Sequence, residues 1–286
     1  MLLRDFISGA RLALTSAEAM SPGYPAEESK ALVARLCKEV LGVESYAHIL
    51  EPSLEIPPVK EPVLREALTR LLKGEPLQYI LGYEYFMDRR FNVSPAVLIP
   101  RPETEILCRE ALALSREGDR ALDLCTGSGC IAWTLSLAGL ETVGVDISPE
   151  ALAIASSQPF DGPSPKFLLK DVLEGPSGFE EGFFDLIVSN PPYVRESEKA
   201  LMRTNVLDYE PSLALFVEDA DPLVFYNAVA SFAKSLLKPG GHGFVEINEA
   251  LGEETAAVFS AAGFSEVNIL RDFNMKMRVV AFQKRP

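Results

Sequence analysis

The stretch Ala121-Leu122-Asp123-Leu124-Cys125-Thr126-Gly127-Ser128-Gly129-Cys130 decides the architecture of this chain. It reads as a short apolar strand, a tight turn with two glycines, and the first turn of a helix. Glycine lets a backbone come close to a ligand, and the amides at a helix N-terminus bond polar groups. Seventeen residues beyond Gly129, Asp146 ends the next apolar run. At a strand end in a doubly wound sheet, a carboxylate is placed to accept both hydroxyls of a ribose. The combination predicts a site for a nucleoside-type cofactor.

Working outward, short apolar runs at 121–124, 142–145, 166–169, 184–188 and 243–247 read as buried strands. Helical stretches at 131–140, 149–157, 222–237 and 249–262 lie among them. A final pair at 265–270 and 277–283 has no helix between its members and is expected to be antiparallel. Such alternation predicts an α/β fold, a doubly wound, mostly parallel seven-stranded sheet with helices on both faces. Upstream, Tyr83-Glu84-Tyr85-Phe86-Met87 and Arg90-Phe91-Asn92-Val93 read as a β-hairpin. Before that, apolar residues at helical spacing predict helices over 3–17, from Pro25 to Gly42, and over 61–73. The expected division is a small helical domain over 1–75, a linker with the hairpin over 76–100, and the α/β domain over 101–286.

Composition bounds the function. With 286 residues, 48% of them hydrophobic and 24% charged, the chain has enough apolar surface for a true core and is neither a disordered tail nor a rod. The net charge is −14, of which −12 falls beyond Glu75. An acidic surface repels phosphate backbones, so neither a strong duplex binder nor direct nucleic-acid contact is expected, while a local basic patch stays open. Cys37, Cys108, Cys125 and Cys130 form no CxxC pair, and only His48 and His242 accompany them. Reduced thiols and no metal site are the expectation. Arg4, Asp5 and Arg11 interrupt the N-terminal apolar stretch, and no run approaches the roughly 18 apolar residues of a membrane span. A cytoplasmic monomer is expected.

At the glycine turn, a dinucleotide and S-adenosylmethionine compete as the cofactor, because Gly-Ser-Gly-Cys-Ile-Ala from Gly127 fits the dinucleotide pattern only in its relaxed form. Asn190-Pro191-Pro192-Tyr193, directly after the run 184–188, decides between them. Successive prolines fix φ and withhold two amide donors, leaving rigid carbonyl acceptors. The Asn190 side-chain oxygen and the Pro191 carbonyl together suit both hydrogens of a planar NH2 group, with Tyr193 as a flat face beside it. This is a site for a primary amide or an exocyclic amine used as a nucleophile.

Asn190-Pro191-Pro192-Tyr193 with the glycine turn resembles the amino-methyltransferases that use S-adenosylmethionine. Gly74-Glu75-Pro76-Leu77-Gln78-Tyr79-Ile80-Leu81-Gly82, Val97-Leu98-Ile99-Pro100-Arg101-Pro102-Glu103-Thr104-Glu105 and Tyr209-Glu210-Pro211-Ser212-Leu213-Ala214-Leu215 are similar to signatures of the release factor glutamine methyltransferases, the PrmC/HemK family. The resemblance spans essentially the whole chain. It implies that Cys125, Thr126, Gly127, Ser128 and Gly129 cradle the methionine part of the cofactor, that Asp146 takes the ribose, that Asp171 and Val172 flank the adenine, and that Asn190 also contacts the cofactor. It further implies that Asn190, Pro191, Pro192 and Tyr193 hold a glutamine amide of a peptide chain release factor, with Asn190, Pro191 and Tyr193 serving catalysis. The chain departs from the family pattern at Cys125, where glycine is usual, at Val172, where bulkier residues are frequent, at Asn248 in place of glycine, and at Asn274-Met275 in place of an Asn-Gly-like turn.

Two rivals follow from the same residues. A nucleic-acid amino-methyltransferase acting on an exocyclic base amine would use the same loop, with Tyr193 stacked on a flipped base. The acidic catalytic part weighs against it. A silent binding module that kept the fold would not need Asp146, Asn190 and Tyr193 intact.

Overall fold

A computed structural model describes residues 1–16, 23–44 and 46–286. It divides into two compact units, one of Met1–Gly82 with Met202–Tyr209 and one of Tyr83–Leu201 with Glu210–Pro286. The helical unit therefore runs seven residues past the expected boundary at 75. The segment 76–100 is not a separate linker, because its first part belongs to the helical unit and its hairpin to the larger one. The expected end of the first helix, at Ala17, lies outside the described residues.

The helical unit contains α1 (Leu3–Thr15), α2 (Ala26–Leu41), α3 (Ala47–Leu50), α4 (Glu61–Leu72), α5 (Leu77–Leu81) and the later α9 (Thr204–Tyr209). Its core follows the helical period. Leu3, Phe6, Ile7, Ala10 and Leu14 of α1 are buried with Val33, Leu36 and Cys37 of α2 and Leu64, Ala67 and Leu71 of α4. The segment 202–209 is tied to this unit by polar bonds. Arg203 pairs with Glu28 at 2.5 Å, and the Tyr209 hydroxyl donates to the Lys73 carbonyl at 3.0 Å.

The larger unit opens with the hairpin of β1 (Tyr83–Phe86) and β2 (Arg89–Asn92). Met87 and Asp88 both take positive φ at its turn, as two-residue hairpin turns of the primed type require. Then come α6 (Thr104–Leu114), β3 (Arg120–Leu124), α7 (Cys130–Leu137), β4 (Glu141–Asp146), α8 (Pro149–Ser156), β5 (Lys166–Leu169) and β6 (Phe184–Ser189). The short strands β7 (Val194–Arg195) and β8 (Phe216–Val217) pair with each other, and α10 (Val224–Leu236), β9 (Leu237–Glu246), α11 (Gly252–Ala261), β10 (Ser265–Arg271) and β11 (Met277–Gln283) complete the chain. The seven-stranded sheet has the order β10-β11-β9-β6-β3-β4-β5. Its five strands from β9 to β5 are parallel, β11 runs antiparallel to β9, and β10 is antiparallel to β11.

Alternate residues of the central strands feed two separate cores, as a sheet covered on both faces demands. Leu122, Leu124, Ile187 and Val245 pack with Tyr226, Phe232 and Phe259 from α10 and α11. Ala121, Leu186, Val188 and Phe244 pack with Leu107, Ile131 and the hairpin residues Phe86 and Phe91. One expected feature is corrected here. The strand over 166–169 is not buried but forms the sheet edge, with Leu168 and Leu169 exposed. The helix α6 had no sequence expectation, because Pro100, Pro102 and the motif around them mask its start.

The strand order places the site. The chain leaves β3 toward β4 and β5 on one side, then returns through β6 to build the other. The reversal falls at the carboxyl ends of β3 and β6, where open α/β sheets bind ligands.

Candidate active site

A cavity opens at that reversal, within the larger unit. Its wall includes Cys125, Thr126, Gly127, Ser128, Asp146, Asp171, Val172, Asn190 and Pro192, so most of the expected site residues converge there. Gly129, Pro191 and Tyr193 do not line it. Gly129 serves packing: its φ is +79°, and an added Cβ would lie 3.0 Å from the Ala155 Cβ and 3.2 Å from the Phe167 ring. The absence of a side chain there lets α7 approach its neighbours.

The glycine turn is held from below and from the side by two carboxylates. Asp123, fully buried in β3, accepts the Thr126 hydroxyl at 2.5 Å and the Ala132 amide at 3.1 Å through one oxygen, while its other oxygen is unpartnered. Burial pushes its carboxyl up to about 7, against the pull of those two bonds. Asp146 accepts the Gly127 amide at 2.8 Å and the Ser148 amide at 2.9 Å, one on each oxygen. Each oxygen keeps a further lone pair for a ligand hydroxyl. Burial raises its carboxyl as well, opposed by these backbone donors. With Gly127 committed to Asp146 and Gly129 to the Thr126 carbonyl, the amides of Ser128 and Cys130 have no acceptor among the described residues. Asp171 caps the turn after β5 by accepting the Leu173 amide at 2.8 Å, which leaves the apolar Val172 and Leu173 on the cavity wall. Cys125 lines the cavity in the left-handed region, with φ +60°, and burial holds its thiol well above the usual range. That thiol is protonated and a weak nucleophile.

Across the cavity, β6 ends at Ser189, whose hydroxyl donates to the Leu124 carbonyl at 2.8 Å and ties the ends of β6 and β3 together. Asn190 follows directly. Its Nδ2 donates to Thr104 Oγ1 at 3.2 Å, and its Oδ1 and the Pro191 carbonyl have no partner among the described residues. Thr104 donates to Glu246 Oε2 at 2.5 Å, and the Tyr193 hydroxyl donates to Glu246 Oε1 at 2.9 Å. Glu246 is buried, which raises its carboxyl, while the Thr104 and Tyr193 hydroxyls act to lower it. The Tyr193 carbonyl accepts Asn248 Nδ2 at 3.2 Å, and Asn248 also bonds Glu198 at 2.9 Å. A glycine at 248 would supply neither bond.

Two loops close the cavity's remaining side. Glu210, buried to 5% exposure, takes the Arg101 guanidinium at 2.5 Å and the Ile99 amide at 3.1 Å. Ala96, Arg101, Pro211 and Leu213 from these loops line the cavity. Residue-by-residue reading missed Thr104, Glu246 and Glu210 as site-builders. The first and last stand inside quoted motifs, but nothing local to them says which partner each meets. Among the described residues no group of three or more His, Cys, Asp or Glu is placed to hold a metal ion.

Comparison with known proteins gives a consistent picture. Residues 12–82 match the family described as the PrmC N-terminal domain, and residues 121–206 match a methyltransferase domain. A release factor glutamine methyltransferase of Bacteroides thetaiotaomicron is 41% identical over 261 residues, covering 90% of this chain and 93% of that one. One from Flavobacterium psychrophilum is 38% identical over 240 residues, covering 81% and 84%. A methyltransferase structure from Pyrococcus furiosus overlays with a TM-score of 0.51 at 18% identity, over 70% of this chain and 91% of that one, which speaks for the fold alone. Because the similarity runs through the helical unit as well as the sheet, and along nearly the full length of both chains, this chain belongs to the release factor glutamine methyltransferases.

Proposed function

We propose that the chain methylates the side-chain amide nitrogen of the glutamine in the Gly-Gly-Gln loop of a peptide chain release factor, with S-adenosylmethionine as donor. The observation that carries this reading is Asn190, on the cavity wall at the carboxyl end of β6 beside the glycine turn with its Oδ1 unpartnered, and the unpartnered Pro191 carbonyl next to it. The donor set fits the cofactor. Asp146 has lone pairs for two ribose hydroxyls, the Ser128 and Cys130 amides suit the methionine carboxylate, and Asp171, Val172 and Leu173 offer a polar edge and apolar faces for adenine.

When bound, S-adenosylmethionine supplies a methyl group on a sulfonium, which is already a good leaving group. The remaining difficulty is the nucleophile. An amide nitrogen is weak because its lone pair is delocalised into the carbonyl. Acceptors aimed at its two N–H bonds favour the nitrogen as it pyramidalises and gains positive charge, which is preorganised electrostatic stabilisation. Two prolines hold the loop's backbone stiff, so the acceptors need little reorganisation. Tyr193 serves as support, with its hydroxyl on Glu246 and its carbonyl on Asn248. The product nitrogen releases its proton to water, and no strong base is required.

The helical unit is assigned to recognition of the release factor, and the acidic surface beyond Glu75 suits a partner rich in basic residues. We read the protein as a cytoplasmic monomer without direct nucleic-acid contact. Among the described residues no helix is long and apolar enough to cross a membrane. The test is mass spectrometry of intact release factor, its glutamine-to-alanine variant, a short Gly-Gly-Gln peptide, and single- and double-stranded DNA, each incubated with labelled cofactor. Label is expected on the intact factor and weakly on the peptide. Comparable label on DNA would favour base-amine methylation, and label on the glutamine-to-alanine factor would move the target to another residue.

A further inference from the structure

We infer that Thr104 and Glu246 are positioning residues that determine which end of the Asn190 side-chain amide faces the substrate. The inference rests on the role given to Asn190 above and adds what orients it. A threonine hydroxyl has one proton to give, and Glu246 accepts on both of its oxygens. Thr104 Oγ1 lies 2.5 Å from Glu246 Oε2, so its proton is committed there. Toward Asn190, 3.2 Å away, Thr104 offers only lone pairs. The amide must therefore present Nδ2 to Thr104 and turn Oδ1 away, free to accept from the substrate amide.

The far end of the chain is held too. Both Glu246 oxygens receive a hydroxyl, the second from Tyr193 at 2.9 Å, so the carboxyl stands as acceptor to both. Thr104 and Glu246 are each 2% exposed, so solvent has no ready access to replace either link. Without the chain, an asparagine amide turns over by rotation about one bond. Nδ2 would then face the substrate NH2, two donors would meet, and the acceptor needed for the developing positive charge would point the wrong way. Thr104, Glu246 and Asn190 come from α6, β9 and the loop after β6, so the fold itself sets the polarity of the chain.

The experiment measures kcat and KM for release factor methylation, cofactor affinity by calorimetry, and thermal midpoint. Asn190→Ala is expected to lower kcat by roughly 100-fold or more. Thr104→Val keeps shape and removes the acceptor, and is expected to lower kcat about tenfold, the scale of one hydrogen bond, with KM and cofactor affinity within about twofold. Thr104→Ser restores the hydroxyl and is expected to recover kcat to within about threefold. Thr104→Ala gives the same loss as valine and covers the case in which valine does not fold. In the Asn190→Ala background, Thr104→Val is expected to add nothing, because a residue acting through Asn190 has nothing left to act through. A Thr104→Val enzyme with unchanged kcat, or a loss that adds fully to that of Asn190→Ala, overturns the inference while leaving the loop's role in place. Near-normal turnover by Asn190→Ala alone overturns the role of the loop itself.

Discussion

The two walls of the active-site cavity are built in opposite ways. The cofactor wall is local and made largely of backbone. Gly127 bonds Asp146 nineteen positions away, Thr126 and Ala132 bond Asp123 within nine, and the groups left for a ligand are amides and a carboxylate at strand ends. The acceptor wall is made of side chains gathered from far apart. Asn190 and Thr104 are 86 residues apart, Thr104 and Glu246 are 142 apart, and Tyr193 and Glu246 are 53 apart. A backbone turn offers a ligand its amides, whose positions are set by local sterics, as at Gly127 and Gly129 with their positive φ. A side-chain chain has a direction, because each hydroxyl and amide has a fixed number of protons. In the proposed function the local wall holds the cofactor and the long-range wall meets the nucleophile.

Four substitutions would break or sharpen this contrast. Asn190→Ala is expected to be the most damaging, with kcat down by roughly 100-fold or more and cofactor affinity nearly unchanged, since the residue belongs to the acceptor wall. Parallel measurement of turnover and cofactor calorimetry checks it. Equal damage to both would mean that the two walls are not separable. Asp146→Ala is expected to act on the other wall only. Losing charge-assisted bonds costs about 1.5–3 kcal/mol, or roughly 10- to 150-fold in cofactor affinity, with kcat at saturating cofactor largely kept. An unchanged dissociation constant would place the ribose elsewhere.

Asp123 sharpens the comparison through pH. Its folded carboxyl sits at about 7, above the roughly 3.9 of an unfolded chain. Between those values the folded protein binds a proton that the unfolded chain does not, so this group's contribution to stability falls as pH rises from about 4 to 7 and is level above that. Asp123→Asn keeps an oxygen for Thr126 and Ala132 and removes the slope. The variant's thermal midpoint is expected to exceed that of the wild type by more at pH 8 than at pH 5. Parallel midpoint profiles would show that burial of this group is not what tunes the turn. The smallest change is expected from Cys125→Gly. The substitution relieves a left-handed backbone that costs about 1 kcal/mol for most residues and leaves the amides of Ser128 and Cys130, proposed to take the methionine carboxylate, in place. Cofactor affinity should stay within about twofold, and a large drop would give the thiol a direct part in binding.

The same contrast explains what could be read before the fold was known. The helices of the first unit followed from the spacing of Leu3, Phe6, Ile7, Ala10 and Leu14, and the sheet from apolar runs separated by helical stretches. Misreadings arose where local pattern does not report neighbours. The run over 166–169 is apolar enough for a buried strand, yet it lies at the sheet edge because no further strand follows β4 and β5 on that side. The helix α6 was hidden by its proline-rich start. Tyr193 was expected to face the substrate, but its hydroxyl points to Glu246 and the residue does not line the cavity.

By itself the sequence determined the glycine turn, the carboxylate at the end of β4 and the rigid Asn-Pro-Pro-Tyr loop, because each is a contiguous run whose geometry follows from backbone sterics. Those runs were enough to resemble a family and to name a cofactor. Only the tertiary structure decided that Thr104 and Glu246 stand behind Asn190, that Glu210 gathers Arg101 and the Ile99 amide, and that Gly129 is there for packing. Hydrogen-bond partners separated by 86 or 142 residues leave no period or spacing in the chain. Their meeting is set by strand order, which brings the ends of β6 and β9 side by side with the start of α6, and it is that order which gives the amide of Asn190 its direction.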